Sequence, residues 1–209
     1  MEVVPIKIVQ GEEKAWKTLS QLACEDVCRR ASATHDHETG IYRIKSFGVD
    51  FSLSPQDKKL FTDAPEGDLF LGRLKDFFRL SLFWYLASSK EIPFTGRLIK
   101  PIDVKGGQRF FTGTHVLPLS QIAEKYAHDK EGFLKKGRGF GAEVLHYGDA
   151  SLRIFPLPRV PVTFILWLED EEFPPRADLL FDSSCELQIS LSDIPWSIAM
   201  MASLVMLDG

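Results

Sequence analysis

Between residues 12 and 34, apolar side chains recur every three or four positions and charged side chains lie between them. The apolar positions include Trp16, Leu19, Ala23 and Val27. This spacing places them on one face of a helix, because an α-helix turns once every 3.6 residues. The pattern therefore predicts an amphipathic N-terminal helix.

Residues 69–88 are more uniformly apolar and contain several aromatic side chains. Phe78, Leu82 and Leu86 are four apart and share a helix face. Asp68 precedes this stretch and is a predicted N-cap. The composition predicts an aromatic-rich helix at the centre of the hydrophobic core.

Polar and apolar residues alternate in residues 41–47 and 49–53, and Gly48 lies between the two runs, which predicts a β-hairpin or a bent strand. The last third of the chain, about residues 148–191, is predicted to be rich in strands, and Ser192 is a predicted cap of a terminal helix. A block of prolines at 156–161 separates the first two strands of this region. The runs read as strands are residues 150–155, 162–168, 179–181 and 187–191.

Short helices are predicted at 118–128 and from residue 139 onwards, the second one after a joint rich in glycine and lysine. Helices and strands are grouped along the chain rather than alternating, which favours an α+β fold. We expect residues 1–209 to form a single compact domain. Its mostly antiparallel sheet should pack against the aromatic-rich helix and flanking helices.

The charge balance and the apolar runs limit the partners. The chain of 209 residues has 25 Lys and Arg against 29 Asp and Glu, a net charge of −4. It therefore lacks the basic excess that drives binding to nucleic acid. No apolar run reaches the roughly 20 residues that cross a bilayer, and we expect no membrane partner. The N-terminus has no signal-peptide pattern and the three cysteines form no disulfide framework, so we expect a cytoplasmic location.

Several short motifs follow one another in a recognisable order between residues 93 and 184. The motifs are Pro93-Phe94-Thr95-Gly96, Gly148-Asp149, Leu157-Pro158-Arg159-Val160-Pro161-Val162, Trp167, Asp170-Glu171-Glu172-Phe173-Pro174 and Leu180-Phe181-Asp182-Ser183-Ser184. With them the chain resembles the bacterial and archaeal family called domain of unknown function 3786, from about Tyr42 to about Ala202. The family has no established activity.

The resemblance implies a link to the metabolism of anaerobes, because relatives are common in anaerobes and some carry a cysteine-rich iron–sulfur domain. It therefore favours a role in redox, iron–sulfur or corrinoid metabolism. This chain has no C-x-x-C motif, so an iron–sulfur cluster held by this chain alone is not expected. No other recognisable motif implies a cofactor.

Cys24 and Cys28 are one helical turn apart and precede His35 and His37. Thiolate and imidazole are the ligands that zinc prefers, so these four residues are candidate metal ligands. The spacing matches no established zinc motif, and free cysteines are commonly buried as small apolar residues. The favoured interpretation is therefore that no metal is bound, that both cysteines pack in the core and that Asp36 caps a surface turn.

Lys135, Lys136 and Arg138 alternate with glycines ahead of the helix predicted from residue 139. Backbone N–H groups at a helix start bind phosphate or carboxylate groups, so the three cations form a candidate anion site. The segment matches neither a P-loop nor a dinucleotide-binding motif. A solvated loop is the favoured alternative.

Arg159 lies between two prolines, which hold it on a stiff stretch of chain. Asp182, at the end of a predicted strand, is the carboxylate expected nearest to it. The two residues are predicted either to form a structural ion pair or, with Trp167, to bind a small anionic ligand.

We find no hydrolase, metalloprotease or other catalytic motif, and no catalytic residue is assigned. His115, His128 and His146 are dispersed and are not expected to act as bases. The leading hypothesis is a binding or accessory protein that recognises a small ligand or a redox partner protein. The alternatives are an enzyme that uses a buried carboxylate such as Asp182 as acid or base, and a structural subunit without a ligand.

Overall fold

The computed structural model describes residues 4–108, 116–188 and 194–209, and it describes side chains from residue 11 onwards. The helices are α1 (Val4–Leu19), α2 (Cys24–Ala31), α3 (Lys75–Ser88), α4 (Leu119–Lys125), α5 (Lys130–Gly139), α6 (Cys185–Gln188) and α7 (Ile194–Leu207). The strands are β1 (Thr34–Asp36), β2 (Ile41–Ser46), β3 (Val49–Ser54), β4 (Lys59–Phe61), β5 (Leu98–Ile99), β6 (Glu143–Leu145), β7 (Ala150–Leu157), β8 (Val160–Trp167) and β9 (Arg176–Asp182).

The strands in the described ranges form two antiparallel sheets. The first has the order β1-β2-β3-β4, and the second has the order β5-β9-β8-β7-β6. Helices pack against these sheets rather than alternating with parallel strands. The predicted α+β class is confirmed, with two sheets instead of one.

The second sheet is built around β8, which is buried from Val160 to Leu166. This burial on both faces explains why the strand is apolar at almost every position. β7 and β9 flank it with antiparallel register, and Val162 pairs with Phe181. The predicted strands at 150–155, 162–168 and 179–181 are confirmed.

The N-terminal helix predicted at 12–34 is wrong as one element. α1 ends at Leu19 and α2 begins at Cys24, so the chain turns between them. Trp16 of α1 packs against Phe83 of α3, with ring centroids 4.3 Å apart. The helical period runs through the break because both helices bury one face against α3.

The aromatic helix predicted at 69–88 is two elements. A π-helical turn at Asp68–Arg73 precedes α3, and Leu74 separates them. Gly67 is the N-cap of the π-helical turn and Asp68 is the first residue inside it, so the predicted cap is wrong. The central position is confirmed, since α3 is buried from Ser81 to Ala87.

The prediction of a helix from residue 139 is also wrong, because α5 ends there and β6 follows. Asp129 caps the start of α5 by accepting the Gly132 N–H at 2.8 Å. Gly137 lies inside α5, where an added Cβ would come 2.3 Å from the Leu152 side chain. Gly137 therefore allows α5 to pack closely against β7, whereas Gly139 has open space around it.

The predicted helix at 118–128 is confirmed in α4. Leu187 and Gln188 belong to α6, so the strand predicted at 187–191 is wrong at its first two residues. Ile189, Leu191 and the predicted cap Ser192 lie outside the described residues. Among the helices in the described ranges, none combines the length and apolar character that crossing a bilayer requires.

The two sheets meet at the β2–β3 hairpin. The Phe47 N–H donates to the Phe155 carbonyl at 2.8 Å, and the Ser46 hydroxyl donates to the Pro156 carbonyl. Gly48 has a φ of +73°, and a Cβ at this position would come 2.9 Å from the backbone of Gly141. Backbone contacts therefore fix the first sheet against the second.

Candidate functional site

Arg159 lies in the turn between β7 and β8, and its guanidinium faces the end of α2. Its Nε donates to the Arg30 carbonyl at 2.6 Å, and one terminal nitrogen donates to the Arg29 carbonyl at 3.1 Å. Its backbone N–H donates to the Tyr85 hydroxyl at 3.2 Å, which in turn donates to the Ala31 carbonyl at 3.0 Å. The last carbonyls of a helix have no partner within the helix, so Arg159 and Tyr85 complete the C-terminus of α2.

Asp182 ends β9 and is only 4% exposed. Its carboxylate accepts the backbone N–H groups of Thr95 (3.1 Å), Gly96 (2.8 Å) and Ser184 (2.9 Å), and the Thr95 hydroxyl at 3.0 Å. Burial favours the protonated acid, but the donors at Ser184 and Thr95 outweigh it and lower the pKa of Asp182. Arg159 and Asp182 are thus each engaged elsewhere, and their predicted pairing is wrong.

Trp167 lies at the opposite end of β8 from the turn that carries Arg159. Its ring is covered by the guanidinium of Arg176, 3.8 Å from the ring centroid, across the β8–β9 ladder. The pair lines an open cleft of about 530 Å³ that also includes Asp149 and Phe173. The prediction that Trp167 shares a site with Arg159 is therefore wrong. Arg176, the partner of Trp167, was missed from the sequence because residues paired across two strands are not close in sequence.

The three candidate anion-binding cations lie in the last turns of α5. The helix begins at Lys130, so its free N–H groups are not at this segment. Lys135 and Arg138 are exposed, while the Lys136 ammonium donates to the Asp208 carbonyl. The premise of a helix start at this position is wrong, and anion binding by these side chains stays a prediction.

Cys24, the first residue of α2, lies close to His35 of β1 and to His37, which directly follows β1. These three residues form a corner beside the start of α2. One donor atom from each side chain, the thiol sulfur and one nitrogen of each imidazole, lies within 4.8 Å of the other two. Donor atoms around a tetrahedral zinc ion are separated by about 3.5 Å. Side-chain movements of roughly an ångström would therefore close the three donors around one ion.

His35 is held in place by its neighbours in the first sheet. It pairs with Tyr42 across the β1–β2 ladder, and their ring centroids are 4.5 Å apart. The His37 ring lies edge-on at 5.0 Å. The Nδ1 atom of His35 is buried and has no hydrogen-bond partner in the described part of the chain. A buried imidazole nitrogen without a partner is costly, so it marks the one incomplete position in this corner.

The cysteines of this corner lie at the margin of the core and are only half-buried. The expectation that both pack in the core is met in part, because both side chains contact the core from its margin. Burial, together with the Glu25 carboxylate, raises the pKa of the Cys24 thiol, and burial is also the main cause that raises the pKa of the Cys28 thiol. Cys28 is not one of the three residues whose donors converge.

A short turn brings the two histidines back towards Cys24. Ser32 adopts a left-handed conformation with a φ of 52°, and the Ala33 N–H donates to the Cys28 carbonyl at 3.0 Å. Asp36 accepts the N–H groups of the next turn, as the sequence predicts. The geometry depends on a positive φ at a serine, which a sequence pattern does not indicate.

Comparison with known protein families gives a match for the chain. Residues 23–204 match the family described as Domain of unknown function (DUF3786). The chain belongs to this family. Neither the curated proteins nor the solved structures contain a significant match.

The DUF3786 match begins at Ala23, one residue before Cys24. The whole α2–β1 corner, with both histidines, therefore lies inside the DUF3786 region. Helix α1 lies outside it, although Trp16 contributes to the same core. The predicted resemblance is confirmed, and the match extends further towards the N-terminus than the motifs that carried it.

Proposed function

We propose that this DUF3786 protein is a metal-binding module that holds a divalent ion of the zinc type through Cys24, His35 and His37. One thiolate and two imidazoles form a donor set that binds zinc in preference to the hard ions magnesium and calcium. The convergence of these three donors within 4.8 Å is the observation that supports the proposal most directly.

The unpartnered Nδ1 of His35 supports the same function. Leaving a buried polar atom without a hydrogen bond costs about 1–3 kcal/mol. Tyr42 packs against the ring and offers no hydrogen bond to this atom. A metal ion bound in this corner could coordinate Nδ1 of His35 directly. Alternatively, it could turn the ring so that Nδ1 reaches a hydrogen-bond partner.

The corner is also stiff enough to act as a preformed site. Arg159 and Tyr85 bind the last carbonyls of α2, and Ser32 and Ala33 close the turn to β1. These contacts come from α3 and from the second sheet, so several parts of the fold hold Cys24 near the histidines. Such a site loses less entropy on binding an ion than a flexible loop would.

The thiol of Cys24 must lose its proton to bind an ion. Its pKa is raised in the metal-free protein, so the group is a neutral thiol at neutral pH. A bound divalent cation stabilises the thiolate and releases the proton. Metal binding is therefore expected to weaken as the pH falls.

The test is metal content and affinity of the full chain. We expect one zinc ion per chain by elemental analysis after dialysis against a weak chelator, and competition with a chromophoric chelator to give a single site. Cys24→Ser and His35→Ala should each lower the affinity at least tenfold. Cys185→Ala and His128→Ala are matched controls, because Cys185 is buried in α6 and His128 pairs with Glu169 outside the corner.

Two results would overturn this function. One is zinc content well below one equivalent in protein that melts cooperatively. The other is stoichiometric zinc that persists in both Cys24→Ser and His35→Ala, since the ion would then lie elsewhere. Loss of zinc in Cys185→Ala and His128→Ala would also mean that the ion lies outside this corner.

The alternative of a carboxylate enzyme centred on Asp182 has less support. A general acid at neutral pH needs a raised pKa, whereas the pKa of Asp182 is lowered by its hydrogen bonds. A role in redox, iron–sulfur or corrinoid metabolism of anaerobes, with a redox partner protein, stays a prediction. So does a structural role without a ligand.

A further inference from the structure

We infer that the metal in this corner keeps one coordination position open to an external ligand, an inference that rests on the proposed function. Zinc in a purely structural site has four protein ligands, whereas sites that bind water or substrate have three. The described residues supply three converging donors, from Cys24, His35 and His37.

The neighbouring side chains of Cys28 and Glu25 lie outside the group of converging donors. Cys28 lies one turn along α2 and packs against the core, outside the converging group. Tyr42 is buried, and its ring packs against the ring of His35. The fourth position is therefore left to solvent by the residues that surround it.

The Glu25 carboxylate lies on the solvent side of the corner. The His37 side chain is 69% exposed and that of Glu25 is 73% exposed, and 4.0 Å separates His37 Nε2 from Glu25 Oε1. Glu25 is then an outer neighbour of the ion that can accept a hydrogen bond from a water molecule at the open position. Second-shell carboxylates commonly orient the groups bound to zinc.

The charges of this corner select the class of external ligand. The Cys24 thiolate and the Glu25 carboxylate together balance the two positive charges of the ion, so an anion gains no net attraction. A small neutral nitrogen donor such as imidazole meets no such penalty, and its N–H can donate to Glu25. The open position should therefore take neutral nitrogen donors in preference to anions.

The experiment uses the full chain loaded with cobalt(II), whose visible spectrum reports its ligands. Imidazole should shift the visible bands in a saturable way with cobalt retained, and azide should bind at least tenfold more weakly. Glu25→Gln should reduce this preference several-fold, because it removes the charge and keeps the shape. Cys28→Ser is the matched control and should leave the thiolate-to-cobalt absorption and the imidazole response unchanged.

The outcomes separate the two proposals. If cobalt does not bind in a way that needs Cys24, the metal-binding function itself fails. If cobalt binds but imidazole does not shift the spectrum or strips the ion, the open position is wrong and the metal site stands. The open position is equally wrong if Cys28→Ser lowers the thiolate absorption, or if His115→Ala, a change outside the described residues, alters the visible bands.

Discussion

The Arg159 turn and the Cys24 corner lie at the two ends of α2 and differ in how completely their polar groups are paired. At the turn, the carbonyls of Arg29, Arg30 and Ala31 all receive hydrogen bonds from Arg159 or Tyr85. At the corner, the Nδ1 atom of His35 is buried and has no partner among the described residues. Complete pairing is typical of a structural role, and incomplete pairing of converging donors is typical of a site that awaits a ligand.

Asp182 gives the largest expected effect on stability. Asp182→Ala would leave the N–H groups of Thr95, Gly96 and Ser184 without their acceptor, which should cost about 3 kcal/mol of the free energy of unfolding. Urea denaturation measures this. Asp178→Ala on the same strand, which loses a long and partly exposed ion pair, is the control and should cost less than about 0.5 kcal/mol. Similar losses for both variants would contradict the structural role of Asp182.

Arg159 gives the next largest effect and connects the two regions. Arg159→Ala should cost about 2 kcal/mol because two helix carbonyls lose a charged donor. It should also weaken zinc binding several-fold, since α2 carries Cys24. Arg153→Ala, which removes the ion pair with Glu143, should change neither quantity measurably. An unchanged melting temperature in Arg159→Ala would mean that the turn is not structural.

The pH dependence of stability tests the environment of Asp182 more finely. Its pKa is lowered in the folded state, so the ionised group contributes stability that is fully present above the unfolded pKa of about 3.9. That contribution is lost as the pH falls through the lower, folded pKa. The difference in stability between the native protein and Asp182→Asn should therefore be constant from about pH 5 to 7 and shrink below about pH 4. A difference that does not shrink would show that the ionised form is not the favoured one.

The smallest effect is expected at the corner itself. His37 is exposed, so His37→Ala should change the free energy of unfolding of the metal-free protein by less than about 0.5 kcal/mol. The same variant should lose the rise in melting temperature that zinc gives to the native protein. A large loss of metal-free stability would instead make His37 a structural residue, like Arg159.

Local patterns predicted β7, β8 and β9 of the second sheet, because burial on both faces makes a strand such as β8 apolar along its whole length. They failed where the helical spacing of apolar residues continues across a turn, as it does from α1 to α2 after Leu19. They also failed at Gly137, where glycine permits close contact with Leu152 rather than breaking a helix. Periodicity reports which face is buried and does not report where the chain turns.

The candidate site shows the same division. The residue types predicted Cys24, His35 and His37 as candidate ligands, but their convergence depends on the left-handed turn at Ser32. Asp182 was expected to be the carboxylate nearest to Arg159, and the pairing failed because each residue is bound by other partners. Those partners are the α2 carbonyls and the N–H groups of residues 95, 96 and 184, which no sequence pattern connects to them.

The hydrogen bond from the Phe47 amide to the Phe155 carbonyl has a kinetic consequence. This bond and the contact between Gly48 and Gly141 attach the hairpin of the first sheet to the second sheet. Opening of the hairpin therefore requires the far sheet to loosen as well, and we expect the two to exchange their amide hydrogens as one cooperative unit. Zinc bound beside β1 should then slow exchange at residues of β7, well beyond the reach of the ion.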